Sequence, residues 1–257
     1  MKDSQNCTIL KNEEVIKGVF DMEFESHEIA KEAAPGQFVH IKCPSYDQIF
    51  LRRPISICDI KGDIVRIVYE VRGKGTKSLS LCRPNDVIDV LAPLGRGFEL
   101  GNYKEPLIIG GGIGTFPLYL LGRKLTNKPH FFLGFRSKDR VLMEDEFSKI
   151  AKEVTITTDD GSYANSGFVT SFLEEKLKAG YGDIIYACGP MPMLKIVKNL
   201  AEVYQVKAQL SLEQRMGCGI GACLTCSCET NLPGTWKYKR VCLNGPVFWA
   251  DEVTLND

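Results

Sequence analysis

The chain has 257 residues, with Lys plus Arg and Asp plus Glu balanced at 32 each. That length suits two domains and an appendage, and the even charge supplies no basic face for nucleic acid or for an anionic membrane surface. Ten cysteines could serve a disulfide scaffold, but Cys218, Cys223, Cys226, Cys228 and Cys242 crowd into the tail, and residues 1–10 carry no signal-peptide core, so a reducing cytoplasm is the expected setting.

Residues 1–101 alternate short β-branched runs with Gly, Pro, Asn and Asp, as in Phe38–Ile41, Asp63–Tyr69 and Asp86–Leu91. Strands at that spacing predict an antiparallel β-barrel, with a short helix opening in Gly73–Leu79. From residue 102 to 210 the character changes. Strand-like Pro106–Ile109 leads into a glycine turn and a helix over Phe116–Leu125. Strands follow at His130–Phe135 and Val154–Thr157, a helix at Gly167–Leu177, a strand at Asp183–Ala187 and a helix from Met191 to Val203. This alternation predicts a doubly wound parallel sheet, on which Met193, Leu194, Val197, Leu200 and Ala201 form one apolar helix face. The longest uncharged run, Pro106 to Gly122, is interrupted by Gly110, Gly111, Gly112 and Gly114, and reads as buried strand, turn and helix in a soluble chain rather than a membrane span.

Residues 211–257 are too few to bury a good core alone. Here Cys218, Cys223 and Cys226 are spaced C-x4-C-x2-C, with Cys242 more distant, the plant-type [2Fe–2S] ligand pattern. Glycines between them let backbone approach bridging sulfide closely, since Gly tolerates φ > 0 and has no Cβ. The alternative is a structural zinc site; such sites normally show two paired knuckles, whereas Cys242 has no nearby mate. Cys228 is a spare thiol, and the spacing favours Cys226 as third ligand. A bound cluster would staple the tail, whose metal-free form is expected to lose order.

Two further motifs lie upstream. Gly110, Gly111, Gly112, Ile113 and Gly114 follow a strand and precede a helix, the context in which glycines admit a dinucleotide pyrophosphate. A plain strand-to-helix turn is the alternative. An acidic residue about twenty positions on would mark NAD; the chain offers Phe135-Arg-Ser137 instead, so motif chemistry leaves NAD and NADP open. In the barrel, Leu51-Arg-Arg-Pro-Ile-Ser-Ile57 sets two arginines before a serine. On a regular strand Arg52 and Ser56 share one face and Arg53 and Ile55 the other. A guanidinium can clamp phosphate and the hydroxyl can meet a flavin edge, although from the residues alone a solvated arginine pair is the favoured reading.

Taken together, Arg53-Pro-Ile-Ser56, Gly75-Thr76, the glycine turn and Tyr186-Ala-Cys-Gly-Pro-Met191 resemble the ferredoxin–NADP reductase superfamily. The tail, Glu213-Gln-Arg-Met-Gly-Cys-Gly-Ile-Gly-Ala-Cys223 through Tyr238-Lys-Arg-Val-Cys-Leu-Asn-Gly-Pro-Val-Phe248, resembles the electron-transfer subunits of type B dihydroorotate dehydrogenases, and the likeness runs along essentially the whole chain. It implies FAD in the barrel, met by Arg53, Pro54, Ile55, Ser56, Val68, Tyr69, Glu70, Gly75 and Thr76. It implies NAD at Gly110–Gly114 and at Cys188, Gly189 and Pro190, and [2Fe–2S] on Cys218, Cys223, Cys226 and Cys242. It also implies an FMN-containing catalytic subunit that oxidises dihydroorotate in pyrimidine synthesis, in a heterotetramer of two of each chain. The superfamily places a flavin-stacking Tyr where this chain has Ile55; Tyr69 is the expected substitute. Cys188 otherwise reads as an inert thiol.

His27, His40 and His130 are the only histidines and sit near none of these motifs in sequence. With no base and nucleophile pair legible, the chain is expected to carry no catalytic residue for removing a carbon-bound proton. Rival readings with similar parts are a reductase component feeding an oxygenase or ferredoxin, the small subunit of a bifurcating NADH-dependent ferredoxin oxidoreductase, and a zinc-stabilised nucleotide-binding regulatory module.

Overall fold

In the computed structural model, residues 3–44, 49–231 and 237–255 are described. The first unit contains β1 (Gln5–Ile16), β2 (Val19–Glu25), α1 (His27–Glu32), β3 (Phe38–Lys42), β4 (Arg53–Lys61), β5 (Ile64–Glu70), α2 (Lys74–Leu79) and β6 (Val87–Leu94). Its strands close into an antiparallel barrel in the order β1-β2-β5-β4-β3-β6. Alternation drives the closure: Ile9, Met22, Phe24, Ile41, Ile57, Val65, Ile67 and Val90 point into one buried cluster. Closure leaves no unpaired edge.

The second unit runs through β7 (Pro106–Gly111), α3 (Leu118–Lys124), β8 (His130–Phe135), α4 (Glu144–Ile150), β9 (Glu153–Thr158), β10 (Asn165–Ser166), α5 (Val169–Lys178), β11 (Ile184–Cys188), α6 (Met191–Tyr204) and β12 (Ala208–Ser211). Its strands run parallel in the order β10-β9-β8-β7-β11-β12. Successive residues of β7 serve opposite faces, as the strand period requires. Leu107 and Ile109 pack with α5 and α6 residues such as Leu173 and Leu194. Ile108 instead joins the cluster that holds Leu118, Leu121 and Phe147. On α6 the buried positions are Met193, Leu194, Val197, Leu200 and Ala201, the face expected from the 3.6-residue period.

The remaining elements are β13 (Ser227–Glu229), β14 (Tyr238–Arg240), α7 (Val241–Asn244) and β15 (Val247–Trp249). The tail does not stand apart: β15 pairs antiparallel with β12, Leu210 opposite Phe248, as the last strand of the α/β sheet. Cys226, Cys228, Val241, Cys242, Phe248 and Val253 share the cluster that contains Leu107 and Leu194. Its missing core is thus borrowed from the α/β unit.

Ion pairs tie the barrel to the α/β unit. Arg66 of β5 donates to Asp21 at 2.8 Å and to Glu146 of α4 at 2.6 Å, and Arg140 donates to Glu70 at 2.6 Å. Among the described residues no helix is long and apolar enough to cross a membrane.

Candidate functional site

Arg53, Pro54, Ile55 and Ser56 open β4, with Pro54 opposite His40 and Ser56 opposite Phe38 on β3. The two arginines are not equivalent. Arg52 is committed to structure, its guanidinium held by Asp89 at 2.8 Å and by the carbonyl oxygens of Asp89 and His40 at 3.0 and 3.3 Å. Arg53 donates only to the carbonyls of Leu51 and Arg52, at 2.7 and 3.2 Å, and has no carboxylate partner among the described residues. A Cβ on Gly75 would lie 2.5 Å from Arg53 Nε, so the guanidinium lies against the first turn of α2 as only glycine permits. This unneutralised cation beside an α2 glycine is suited to a phosphate.

The other barrel positions divide. Thr76 Oγ1 accepts from the backbone N–H of Arg72 and Gly73 at 2.9 and 3.3 Å, capping α2 with its own hydroxyl. Glu70 is held between Arg72 and Arg140, and Val68 is buried in the cluster shared with the α/β unit. Tyr69 corrects an expectation. Its ring is buried and stacks on Phe20 across the β2–β5 ladder at 5.7 Å, and its hydroxyl donates to Asn12 Oδ1 at 3.0 Å. Burial also pushes the phenol pKa up. That ring offers no open face to a flavin.

β7 and β11 are adjacent in the sheet, Gly110 opposite Cys188, though far apart in sequence. The strand order reverses between them, and α/β folds bind ligands in the crevice at the carboxyl ends of such a pair. Gly110, Gly111, Gly112, Ile113 and Gly114 continue from β7 into a 3-10 turn at Gly112–Thr115. The turn abuts Cys188, Gly189 and Pro190. A Cβ on Gly114 would lie 2.8 Å from both the Cys188 carbonyl oxygen and Gly189 Cα, and one on Gly111 would lie 2.8 Å from Pro190 Cδ. Gly112, at φ +55°, faces open space. The Cys188 thiol is pushed up to about 12 by burial, against a lowering hydrogen bond with Ser211; at neutral pH it is a protonated thiol, suited to packing and hydrogen bonding rather than to attack. Beyond β8, Ser137 donates its hydroxyl to Asp139 at 2.5 Å.

The cysteine loop turns on left-handed residues, Gly219 at φ +71°, Gly221 at +82° and Leu224 at +60°. These turns aim backbone N–H groups at sulfur. Ala222 and Cys223 donate to Cys218 Sγ at 3.2 and 3.4 Å, Gly221 to Cys242 Sγ at 3.2 Å, and Cys242 to Cys226 Sγ at 3.4 Å. Cys218 is a hydrogen-bonding neighbour of Cys223, and both Cys226 and Cys218 act on Cys242. Hydrogen bonds from Thr225, then from Cys218, pull the exposed Cys223 down to about 6, while burial and the neighbouring Cys226 push Cys242 up to about 12. Among the described residues no three ligating side chains gather tightly enough for one metal ion. Cys228 lies on β13 opposite Lys239; burial pushes it up to about 11, with Cys226 the only other cysteine acting on it.

His40 corrects a second expectation. Although remote from every motif in sequence, it is fully buried and its ring rests on the cysteine loop, where a Cβ on Gly219 would lie 2.4 Å from Nδ1. Sequence reasoning missed it because the contact joins a barrel strand to the tail.

Residues 213–254 match the family described as the iron–sulfur cluster binding domain of dihydroorotate dehydrogenase B. The chain is 41% identical over 254 residues to the dihydroorotate dehydrogenase B (NAD(+)) electron transfer subunit of Caldanaerobacter subterraneus subsp. tengcongensis, covering 98% of this chain and 99% of that one. It is 42% identical over 266 residues to the subunit of the same description from Geobacillus sp. strain WCH70, covering 99% and 100%. Among solved structures, a chain from the NADH-dependent reduced ferredoxin-NADP oxidoreductase, studied for flavin-based electron bifurcation, superposes with a TM-score of 0.86 at 33% identity, covering 99% of this chain and 92% of that one.

Proposed function

The chain belongs to the family of dihydroorotate dehydrogenase B (NAD(+)) electron transfer subunits, and from that premise we propose that it carries electrons from a catalytic partner, through [2Fe–2S] and FAD, to NAD⁺ in pyrimidine biosynthesis. The cluster supplies one-electron transfer, and the flavin exchanges between single electrons and the pair that nicotinamide requires. Everything else falls to placement by the protein.

Each cofactor has a cradle whose residues fit it. Arg53, against Gly75, holds the flavin's phosphates, with Pro54, Ile55, Ser56, Val68, Tyr69, Glu70 and Thr76 around it. Gly110, Gly111, Gly112, Ile113 and Gly114 admit the dinucleotide, and Cys188, Gly189 and Pro190 set the wall against which its nicotinamide end is oriented. Cys218, Cys223, Cys226 and Cys242 would hold the cluster, which would supply one-electron transfer there. Cys228 stays behind them as a structural thiol. The partner is an FMN-containing subunit that binds dihydroorotate, in an assembly of two of each chain. With none of the ten cysteines paired in a disulfide, the reading places the protein in the cytoplasm.

The observation that carries this reading is the turn of the cysteine loop, with backbone N–H groups donating to the sulfurs of Cys218, Cys226 and Cys242, laid against His40 on β3, the strand paired with the one that bears Arg53. The test is to assay the chain alone and with its co-purifying flavoprotein. Alone it should reduce dyes with NADH and leave dihydroorotate untouched; with the partner, dihydroorotate should reduce NAD⁺. Turnover of dihydroorotate by this chain alone would remove the need for a partner. The 33% identity to the ferredoxin-NADP oxidoreductase chain favours a second reading, and a co-purifying protein that ignores dihydroorotate but couples NADH to ferredoxin would select it.

A further inference from the structure

His40 is fully buried on β3, and neither of its ring nitrogens has a hydrogen-bond partner among the described residues. Imidazole in either protonation state carries at least one N–H, and a buried donor left unmade is costly. The other two histidines are satisfied. His27 pairs with Asp63 at 2.9 Å on the surface, and His130 is held between Glu153 and Glu105 at 3.0 and 3.2 Å.

The position of the ring indicates what is missing. It lies on the Cα of Gly219, whose Cβ would come within 2.4 Å of Nδ1 and 2.9 Å of Cε1, and Gly219 directly follows Cys218. The backbones of Arg52 and Cys218 are polar neighbours of the ring as well, though neither meets hydrogen-bond geometry with its nitrogens. On its other side the His40 backbone is anchored: it lies opposite Pro54 on β4 and Leu91 on β6, and its carbonyl accepts from Arg52. An unpartnered donor is therefore fixed on β3, beside the flavin-motif strand β4, and presented to the loop whose sulfurs already collect backbone N–H groups.

We propose that His40 is a positioning residue of the iron–sulfur site, donating a ring N–H to a sulfur beside the Cys218–Gly219 segment and so seating the cluster loop against β3, the neighbour of the flavin-motif strand. This rests on the reading above that the tail holds a [2Fe–2S] centre. Such a hydrogen bond stabilises the reduced, more negative cluster and raises its potential. It also gives the close fit at Gly219 a purpose: any side chain there would push the imidazole off the loop.

The test uses the full chain, purified anaerobically with its cofactors and labelled with ring-¹⁵N histidine. On reduction, hyperfine spectroscopy of the paramagnetic cluster should show coupling to histidine nitrogen; His27 is on the surface and His130 is satisfied elsewhere. In His40→Phe that coupling should vanish and the cluster potential should fall, whereas His40→Gln, which keeps an N–H donor, should retain most of the native potential. A cluster signal without histidine coupling in the labelled native chain overturns the assignment, even if neither variant assembles a cluster. An unchanged potential and line shape in His40→Phe would do so too. No paramagnetic signal at all would defeat the cluster reading itself, and this inference with it.

Discussion

Replacing Gly114 by Ala tests the nucleotide crevice most directly. Gly114 is not among the residues with positive φ, so alanine suits its backbone and the effect reports packing alone. The added methyl would lie 2.8 Å from Gly189 Cα and from the Cys188 carbonyl oxygen, where carbon atoms prefer about 3.5–4.0 Å. Both neighbours are backbone in the wall opposite, so neither can rotate away. Overpacking of this kind costs about 1–3 kcal/mol. If the glycine turn and the Cys188–Pro190 segment must close on nicotinamide nucleotide, that penalty appears as about a 5- to 150-fold loss of kcat/KM for NADH. Gly111→Ala is the graded comparison. Its methyl would meet Pro190 Cδ, fixed in the pyrrolidine ring, at 2.8 Å and Met193 Sδ at 2.9 Å; only the Met can adjust, so its loss should be somewhat smaller. The assay is steady-state dye reduction by NADH, with flavin content and visible spectrum recorded alongside. A Gly114→Ala protein with intact cofactors and kcat/KM within about twofold of native would refute the crevice reasoning.

Two other outcomes follow from groups already described. Cys226→Ser should abolish the cluster's visible absorption while Cys228→Ser keeps it; the reverse result would hand the third ligand position to Cys228. At the amino end of the parallel sheet, hydrogen bonding to Lys152 holds the Glu105 carboxyl below its ordinary range, and hydrogen bonding to Lys176 does the same for Glu153. A depressed carboxylate stabilises the fold above its unfolded pKa, and the stabilisation is lost as pH falls through the folded value. These pairs are partly exposed, so each contributes about 0.5 kcal/mol. Removing both lysines by Lys152→Gln and Lys176→Gln should flatten the decline of Tm on acidification below about pH 5; an unaltered slope would mean the pairs contribute nothing.

What could be read from sequence was largely local. Gly110–Gly114 declares itself because a strand, a turn and a helix follow one another without interruption, and the face of α6 follows from helical period. The cysteine spacing works the same way within one loop. What was hidden depends on strand neighbours distant in the chain. Cys188 meets the glycine turn only because β11 lies beside β7. Tyr69 looked like a flavin platform until its ring proved to be used up by Phe20 and Asn12. His40 looked idle because nothing in a barrel strand signals that a tail loop will cross it. α4 was missed although Glu144, Asp145 and Glu146 mark its first turn and Lys149 its last; those charges complement a helix dipole and were a usable signal.

The return of β15 to the edge of β12 has a consequence for anyone cutting this protein apart. The cysteine loop is an excursion that leaves a sheet margin at Ser211 and comes back to the same margin at Val247. A truncation before the first ligand would therefore do more than delete a redox centre. It would strip the outermost strand, lay bare the hydrogen-bonding row of β12 and invite other chains to dock there. A minimal flavin-nucleotide reductase is better made by replacing 213–245 with a short connector, so that Val247–Trp249 still closes the border.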